Sequence, residues 1–167
     1  MSAVNDFETK LLQLLFNNTA LANIGDATGL PASAAAGSTQ LSLHTVALGE
    51  TDTLLTANEV VYTGYARPTQ ARSSAGWTIS GNNASNAALV QFGEMSAGGP
   101  DTVVHLGLGF IATGDVLRLE ADLNADLVIN NGVNPQFAVG ALDVNLDLNV
   151  LTVIMAVIIA LSSFVGL

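Results

Sequence analysis

Two histidines are the residues best suited to metal or proton chemistry in this sequence. His44 and His105 both lie in stretches that alternate apolar and polar residues, a pattern that predicts strands. Neither has another histidine, a cysteine or a pair of acids at the spacing of a ligand set. Because a metal site needs three or four such ligands held together, we predict no metal site and a structural or surface role for each histidine.

Acids in the second half of the chain are the other candidates for chemistry. Glu120, Asp122 and Asp126 are followed by Asp143 and Asp147, but no calcium loop pattern with its central glycine and closing glutamate is present. Glu120 and Asp122 are two residues apart and therefore share one face of a predicted strand. A solvated face is our expectation; a weak cation site at a subunit interface and paired carboxylates for acid/base catalysis are the alternatives.

Motifs for nucleotide binding and nucleophilic catalysis are incomplete. Gly107-Leu108-Gly109 is a fragment of a dinucleotide fingerprint, but the further glycine and the helix that the fingerprint requires do not follow. A strand that another part of the backbone approaches closely explains these glycines better. No Gly-x-Ser-x-Gly elbow occurs. We therefore expect no enzymatic activity and no cofactor.

Charge and composition favour a structural protein that associates with other chains. Fourteen acids and four bases give a formal net charge of −10, which argues against nucleic acid as a partner. Hydrophobic residues make up 50% of the chain and the mean hydropathy is +0.49, values that are high for a free monomer. There is no cysteine, so packing, hydrogen bonding and subunit association must stabilise the fold. The four bases are Lys10, Arg67, Arg72 and Arg118.

The first 40 residues predict a helix and a linker. Residues 1–24 form a helical arm, with the helix running from Asp6 to Asn18 and capped by Asn5 or Asp6. Its apolar positions recur at three- and four-residue spacings: Phe7, Leu11, Leu12, Leu14, Leu15 and Phe16. Residues 25–40, rich in Gly and Ala, predict a linker. The N-terminus lacks the features of a signal peptide, so we expect synthesis and assembly in the cytoplasm.

Residues 41–148 predict an antiparallel β-sandwich. Short alternating runs recur with turn residues between them, a spacing typical of two-sheet folds. After a first strand around Leu41 and Leu43, the predicted strands lie near residues 60–66, 77–80, 87–92, 103–112, 116–121, 126–129, 136–139 and 141–148.

The C-terminal segment, residues 149–167, is apolar and carries no charge from Val150 onward. Its periodicity does not decide between helix and strand. Such a segment must be covered by neighbouring subunits, by its own domain or by lipid; the missing basic flank argues against a membrane anchor. We expect contacts with neighbouring subunits, and a deletion of 150–167 should leave a folded but more monomeric protein. The predicted contact residues are Val153, Val157 and Leu161.

Several motifs, in this order and spacing, resemble a family of short virion accessory proteins from tailed phages, which comprises tail fibre and capsid decoration proteins. They are Asp6-Phe7-Glu8-x-Lys10-Leu11-Leu12, Phe16-x-Asn18-Thr19-Ala20, Gly64-Tyr65-Ala66-Arg67, Trp77, Asn86-Ala87-Ala88-Leu89-Val90-Gln91-Phe92, Val103-Val104-His105-Leu106-Gly107, Gly132-Val133-Asn134-Pro135-Gln136-Phe137 and Gly140-Ala141-Leu142-x-Val144-x-Leu146-Asp147. The resemblance implies a jelly-roll sandwich that binds a capsid or tail surface, commonly as a trimer, and it carries over no catalytic residue. The Ala-rich linker and the segment after Asp147 depart from the family pattern.

The function we expect from these features is capsid decoration within the virion. The expected partners are the major capsid protein and further copies of the chain as a homotrimer. Tyr65, Arg67, Arg72 and Trp77 are the predicted interface residues of the sandwich, because Trp, Tyr and Arg dominate interface energetics, although each can equally serve the core. The alternatives are a tail fibre or baseplate component, a carbohydrate-binding module, and a membrane protein anchored through 150–167.

Overall fold

The computed structural model describes residues 3–111 and 114–148, and these ranges form a mainly β protein with one helix. The predicted fold class is confirmed at this level. The predicted contact residues Val153, Val157 and Leu161 lie outside the described residues. In chain order, the elements are α1 (Asn5–Asn17), β1 (Ser38–His44), β2 (Thr69–Ala71), β3 (Trp77–Ser80), β4 (Asn83–Asn86), β5 (Val90–Gln91), β6 (Asp101–Gly109), β7 (Leu119–Ile129), β8 (Gln136–Phe137) and β9 (Asp143–Asn145).

Helix α1 agrees with the prediction to within a residue at each end, but its start is different. Val4 occupies the N-cap, and its carbonyl accepts the amide of Phe7 at 2.9 Å. The predicted side-chain cap by Asn5 or Asp6 is wrong because both residues already lie inside the first turn. Asn18 ends the helix with φ of 52°, the left-handed conformation that Asn tolerates.

One stripe of α1 packs into the core of the sandwich. Glu8, Leu12 and Phe16 are its buried residues, spaced four apart. The Phe16 ring centroid lies 4.6 Å from that of Trp77 and 5.1 Å from that of Phe110. Aromatic pairs at these distances contribute beyond their buried area. The helix is therefore part of the folded body.

The strands form antiparallel sheets around one main core. The four-stranded sheet has the order β2-β1-β6-β7, the three-stranded sheet β3-β4-β9, and β5 pairs with β8. Side chains from the four-stranded and three-stranded sheets and from α1 meet in the core, giving a sandwich-like arrangement. The jelly-roll connectivity stays a prediction. The largest fully buried core side chains include Trp77, Phe16, Phe92, Leu12, Leu41 and Leu43.

Residues 60–66 are not a strand, contrary to the prediction. Val60 and Tyr62 are buried, whereas Val61 between them is 90% exposed. A loop that buries every second side chain has the same pattern as a strand, and this explains the error. Its backbone forms an isolated bridge between Thr63 and Ala97.

Two strands were missed because their residues are typical of turns or linkers. β4 is the central strand of its sheet, although its sequence is Asn-Ala-Ser-Asn. Asn86 is buried, and its amide nitrogen donates to the carbonyls of Ala88 and Ala138, both at 2.8 Å. Its oxygen accepts the amide of Leu142 at 2.9 Å. β2 was missed as well, and β1 begins at Ser38, inside the predicted linker.

β7 is one long strand where two were predicted. Val103 of β6 pairs with Leu127, but His105 pairs with Asp122. The register therefore shifts, and residues 123–126 form an irregular excursion on the β7 side. This excursion lies at the open edge of the four-stranded sheet.

The glycines of β6 allow a loop to cover the other face of this sheet, as their strand assignment predicts. A Cβ on Gly107 would lie 2.7 Å from His44 Nε2, and one on Gly109 would lie 2.6 Å from the carbonyl oxygen of Val116. Leu48, Leu55 and Leu117 form a second apolar cluster there. Close packing therefore explains both glycines: side chains approach Gly107, and the backbone of Val116 approaches Gly109.

Candidate interface

Arg67, a predicted interface residue, is held inside the protein by two carboxylates. Its Nε and Nη2 donate to the two oxygens of Glu59 at 2.6 and 2.5 Å, and Nη1 donates to Asp115 Oδ1 at 2.8 Å. The hydrogen bonds with Glu59 raise the pKa of Arg67, so the guanidinium stays charged. The Arg67 and Glu59 side chains are only 13% and 11% exposed. The bidentate pair fixes the connection between β1 and β2, and the bond to Asp115 ties it to the loop between β6 and β7.

Tyr65, the second predicted interface residue, belongs to the same network. Its hydroxyl donates to Glu59 Oε1 at 2.7 Å and accepts the amide of Leu43 at 3.1 Å. Burial, with the bond to Glu59, raises the pKa of Tyr65. The ring packs edge-on against Tyr62 and parallel to Phe92. Its polar and apolar parts are both used within the chain.

Arg72 secures the end of α1. It donates to the carbonyls of Leu15 at 2.7 Å, Leu14 at 2.9 Å and Ala36 at 3.0 Å. The last carbonyls of a helix have no partner within the helix, and a cation there also suits the helix dipole. Burial lowers the pKa of Arg72. The structure thus gives this predicted interface residue a fold-stabilising role.

Trp77 lies in the core, the second of the two roles considered for it. The residue is 0% exposed, and its indole Nε1 donates to Thr39 Oγ1 at 3.2 Å. Tyr62 is also buried, and its hydroxyl donates to the carbonyl of Gly93. All the Trp and Tyr residues of the chain fall within the described ranges, and they form no exposed platform of the kind that carbohydrate-binding modules use.

His105 lies between two acids, which sequence reasoning missed. Its Nδ1 lies 2.8 Å from Asp122 Oδ1, and its Nε2 is hydrogen-bonded to the Glu120 carboxylate. The two acids are 17 and 15 residues away in sequence, and only the β6–β7 register brings them together. The ring can donate to both carboxylates only when both nitrogens are protonated. We expected Glu120 and Asp122 to lie on a solvated strand face, and this holds only in part. The Asp122 side chain is 82% exposed and that of Glu120 only 31%, and both are bonded to His105.

His44 is a buried histidine with both nitrogens satisfied. Nδ1 lies 2.7 Å from the carbonyl oxygen of Ala57, so it donates; Nε2 lies 2.7 Å from Ser42 Oγ and accepts. Burial lowers the pKa of His44, with the nearby His105 acting in the same direction. Within residues 3–111 and 114–148, no group of three His, Cys, Asp or Glu side chains is placed to hold a metal ion.

A mainly apolar groove along β7 is the best candidate for an interface. We call it the β7–β9 groove. It has a volume of about 680 Å³ and runs between β7 and the β8–β9 region. Its apolar lining is large: Leu106, Leu108, Leu119, Leu123, Leu127, Phe137, Leu142 and Val144.

Both strands that border this groove are edge strands. β7 is the last strand of the four-stranded sheet and β9 the last of the three-stranded sheet. In the part of the chain that the structure describes, no strand pairs with the outer side of either. Open edges beside apolar side chains are surfaces on which proteins add a further strand. No predicted interface residue of the sandwich borders the groove except Trp77, at its base.

Neither part of the described chain contains a helix long and apolar enough to cross a bilayer. The tail-anchor alternative concerned 150–167, outside the described residues.

Comparison with known proteins gives a family match that covers the helix and the whole sandwich. The model of a family described as podophage GP4 fiber I protein gp80 matches residues 2–145. The match includes α1 and all the described strands, and it ends at the last residue of β9. No curated protein matches the sequence. The predicted resemblance to phage virion proteins is confirmed, and the chain belongs to the podophage GP4 fiber I protein gp80 family of virion structural proteins.

Proposed function

We propose that this protein is a non-enzymatic subunit of a fibre on the phage virion. The observation that carries the proposal is the family match over residues 2–145, whose description names a fibre protein. A fibre subunit acts by forming durable contacts with its neighbours and needs no catalytic group. The side chains of His44, His105, Arg67 and Arg72 are hydrogen-bonded within the chain, which is consistent with that role.

The distribution of charge supports association through apolar surface. Arg67 and Arg72 are bonded within the chain, and Lys10 pairs with Asp6 at 2.7 Å. Arg118 is exposed. With fourteen acids in the chain, the outer surface is strongly acidic, which disfavours nucleic acid and close approach of like particles. The β7–β9 groove is the described surface best suited to an apolar partner.

Self-association completes the proposal. Copies of the chain assemble in the host cytoplasm, as homotrimers, and then join a tail protein of the particle. The supporting observations are the high apolar content and the open apolar groove. Closed symmetric oligomers are the usual way for such surfaces to be covered.

Location and copy number on purified particles test this function. We expect antibody-gold label or added cryo-EM density at the tail, with far fewer copies than the major capsid protein. Label spread over the head, with copies in a fixed ratio to the major capsid protein, would contradict the fibre role. That result would instead support capsid decoration, the second candidate from the sequence.

A further inference from the structure

The β7–β9 groove has the chemistry of a site for an extended apolar segment. Most of its lining surface is apolar, although the Glu120, Asp122 and Asp143 side chains also line it. On both sides it is bordered by an edge strand whose outer side pairs with no other described strand. A strand added at such an edge gains main-chain hydrogen bonds, while alternate side chains enter the groove. Leu123, Leu127, Phe137 and Val144 are only partly buried in the described chain and would be covered.

The chain itself carries a segment that fits this description. Residues 150–167 contain no charge and many β-branched residues, which favour extended structure beside a sheet. β7 has 11 residues, so a strand that pairs along it spans roughly 36 Å at 3.3 Å per residue. The 19 residues from 149 to 167 are long enough to cover that length and still leave a connection.

The path of the chain before this segment indicates whose groove it enters. The amide of Leu146 donates to the carbonyl of Asn82 at 2.8 Å, and the amide of Leu148 donates to Glu8 Oε1 at 2.9 Å. Alternate amides thus face the body, and the chain continues in extended form past Asn145, the last residue that lines the groove. It reaches α1 without turning back, so return to its own groove requires a reversal after Leu148.

We propose that residues 149–167 of one copy bind the β7–β9 groove of a neighbouring copy as an added strand. This inference goes beyond the fibre role, which requires subunit contacts but no exchanged segment. The family match ends at residue 145, so the proposed exchange uses a part of the chain outside the matched region. The exchange covers the apolar segment and the open edges in one step.

Cross-linking of the full-length protein tests the exchange on a background without cysteine. One chain carries Ala125→Cys, an exposed position that lines the groove, and a second chain with a larger tag carries Val157→Cys. The two are co-expressed, purified as the assembly and treated with a short bismaleimide. The expected product is a mixed dimer, in about tenfold or greater excess over that from the matched control, Ser74→Cys with Val157→Cys. Ser74 is exposed and does not line the groove.

Each other outcome overturns the exchange. Ala121→Cys, also exposed in the groove, replaces Ala125→Cys if that variant does not fold. A chain with both cysteines that cross-links only within itself shows that the segment binds its own groove. Cross-linking only between two Val157→Cys chains shows a bundle of C-terminal segments, and equal yields for groove and control show no specific site. None of these results depends on where the protein lies on the particle, so the fibre role is tested separately.

Discussion

The region around Arg67 and the region along β7 and β9 differ in how many of their polar groups and apolar side chains have partners within the described chain. Around Arg67, Glu59 and Tyr65, every charged or polar side-chain group named above has a partner within hydrogen-bond distance. Along β7 and β9, apolar side chains line a groove, and the outer strand edges have no partner among the described residues. Arg and Tyr side chains, which commonly dominate interfaces, thus stabilise the fold here. The candidate interface is indicated instead by apolar side chains and strand edges that have no partner in the described chain.

The largest effect is expected from Arg67→Met, which breaks the closed side. The substitution leaves the largely buried Glu59 carboxylate without its bidentate partner, and we expect a loss of about 3 kcal/mol in the free energy of unfolding. Urea denaturation followed by tryptophan fluorescence measures it, since Trp77 lies in the core. Arg118→Met, at an exposed position, is the matched control and should change stability little. A loss below about 1 kcal/mol for Arg67→Met would show that the network matters little.

Arg72→Met should have the next largest effect. Methionine keeps most of the aliphatic stem but removes the bonds to the carbonyls of Leu14, Leu15 and Ala36. We expect a loss of about 2 kcal/mol, because the end of α1 loses its partners. Urea denaturation gives the value, and helix-specific hydrogen exchange should show earlier opening of α1 than in the native chain. Unchanged exchange in α1 would contradict the assigned role.

Glu120→Gln and Asp122→Asn separate the two acids on His105. Glu120 is 31% exposed and Asp122 82%, so solvent screens the second pair far more. We expect Glu120→Gln to cost about 1 kcal/mol and Asp122→Asn distinctly less, as measured by thermal unfolding. Equal losses of stability in the two variants would mean that solvent exposure does not determine how much each contact with His105 contributes.

The smallest expected effect is a pH-dependent change in stability that arises from His44. Because burial lowers its pKa below the ordinary value of 6.5, the unfolded chain binds a proton more readily than the folded chain. Its contribution to stability is therefore complete above about pH 6.5 and is lost as the pH falls through the folded-state pKa. The groups that act on it are Glu59, Arg67 and His105. His44→Gln should lose less stability than the native chain between about pH 7 and about pH 5; parallel losses would exclude His44 as the cause.

The sequence predicted the elements that depend on local periodicity and failed where contacts are distant. Helix α1 and the mainly β class follow from residue spacing. β4 was not predicted as a strand because asparagines such as Asn83 and Asn86 are typical of turns. In the structure their side-chain amides are hydrogen-bonded within the sheet region. The His105 contacts and the β7–β9 groove arise from strand register and sheet order, which no local pattern encodes. Arg67 was assigned to an interface from its residue type, and its role in the fold was missed because its carboxylate partners lie 8 and 48 residues away.

Hydrogen exchange along β7 in the assembled protein tests most directly whether the C-terminal segment covers this side of the sandwich. The full-length native chain is compared with a full-length variant in which Val153→Asp and Val157→Asp make the C-terminal segment unfit for an apolar groove. We predict that β7 amides exchange at least about tenfold faster in the variant, while β1 amides at the Arg67 side keep their rates. Identical β7 exchange in the two proteins would contradict the account.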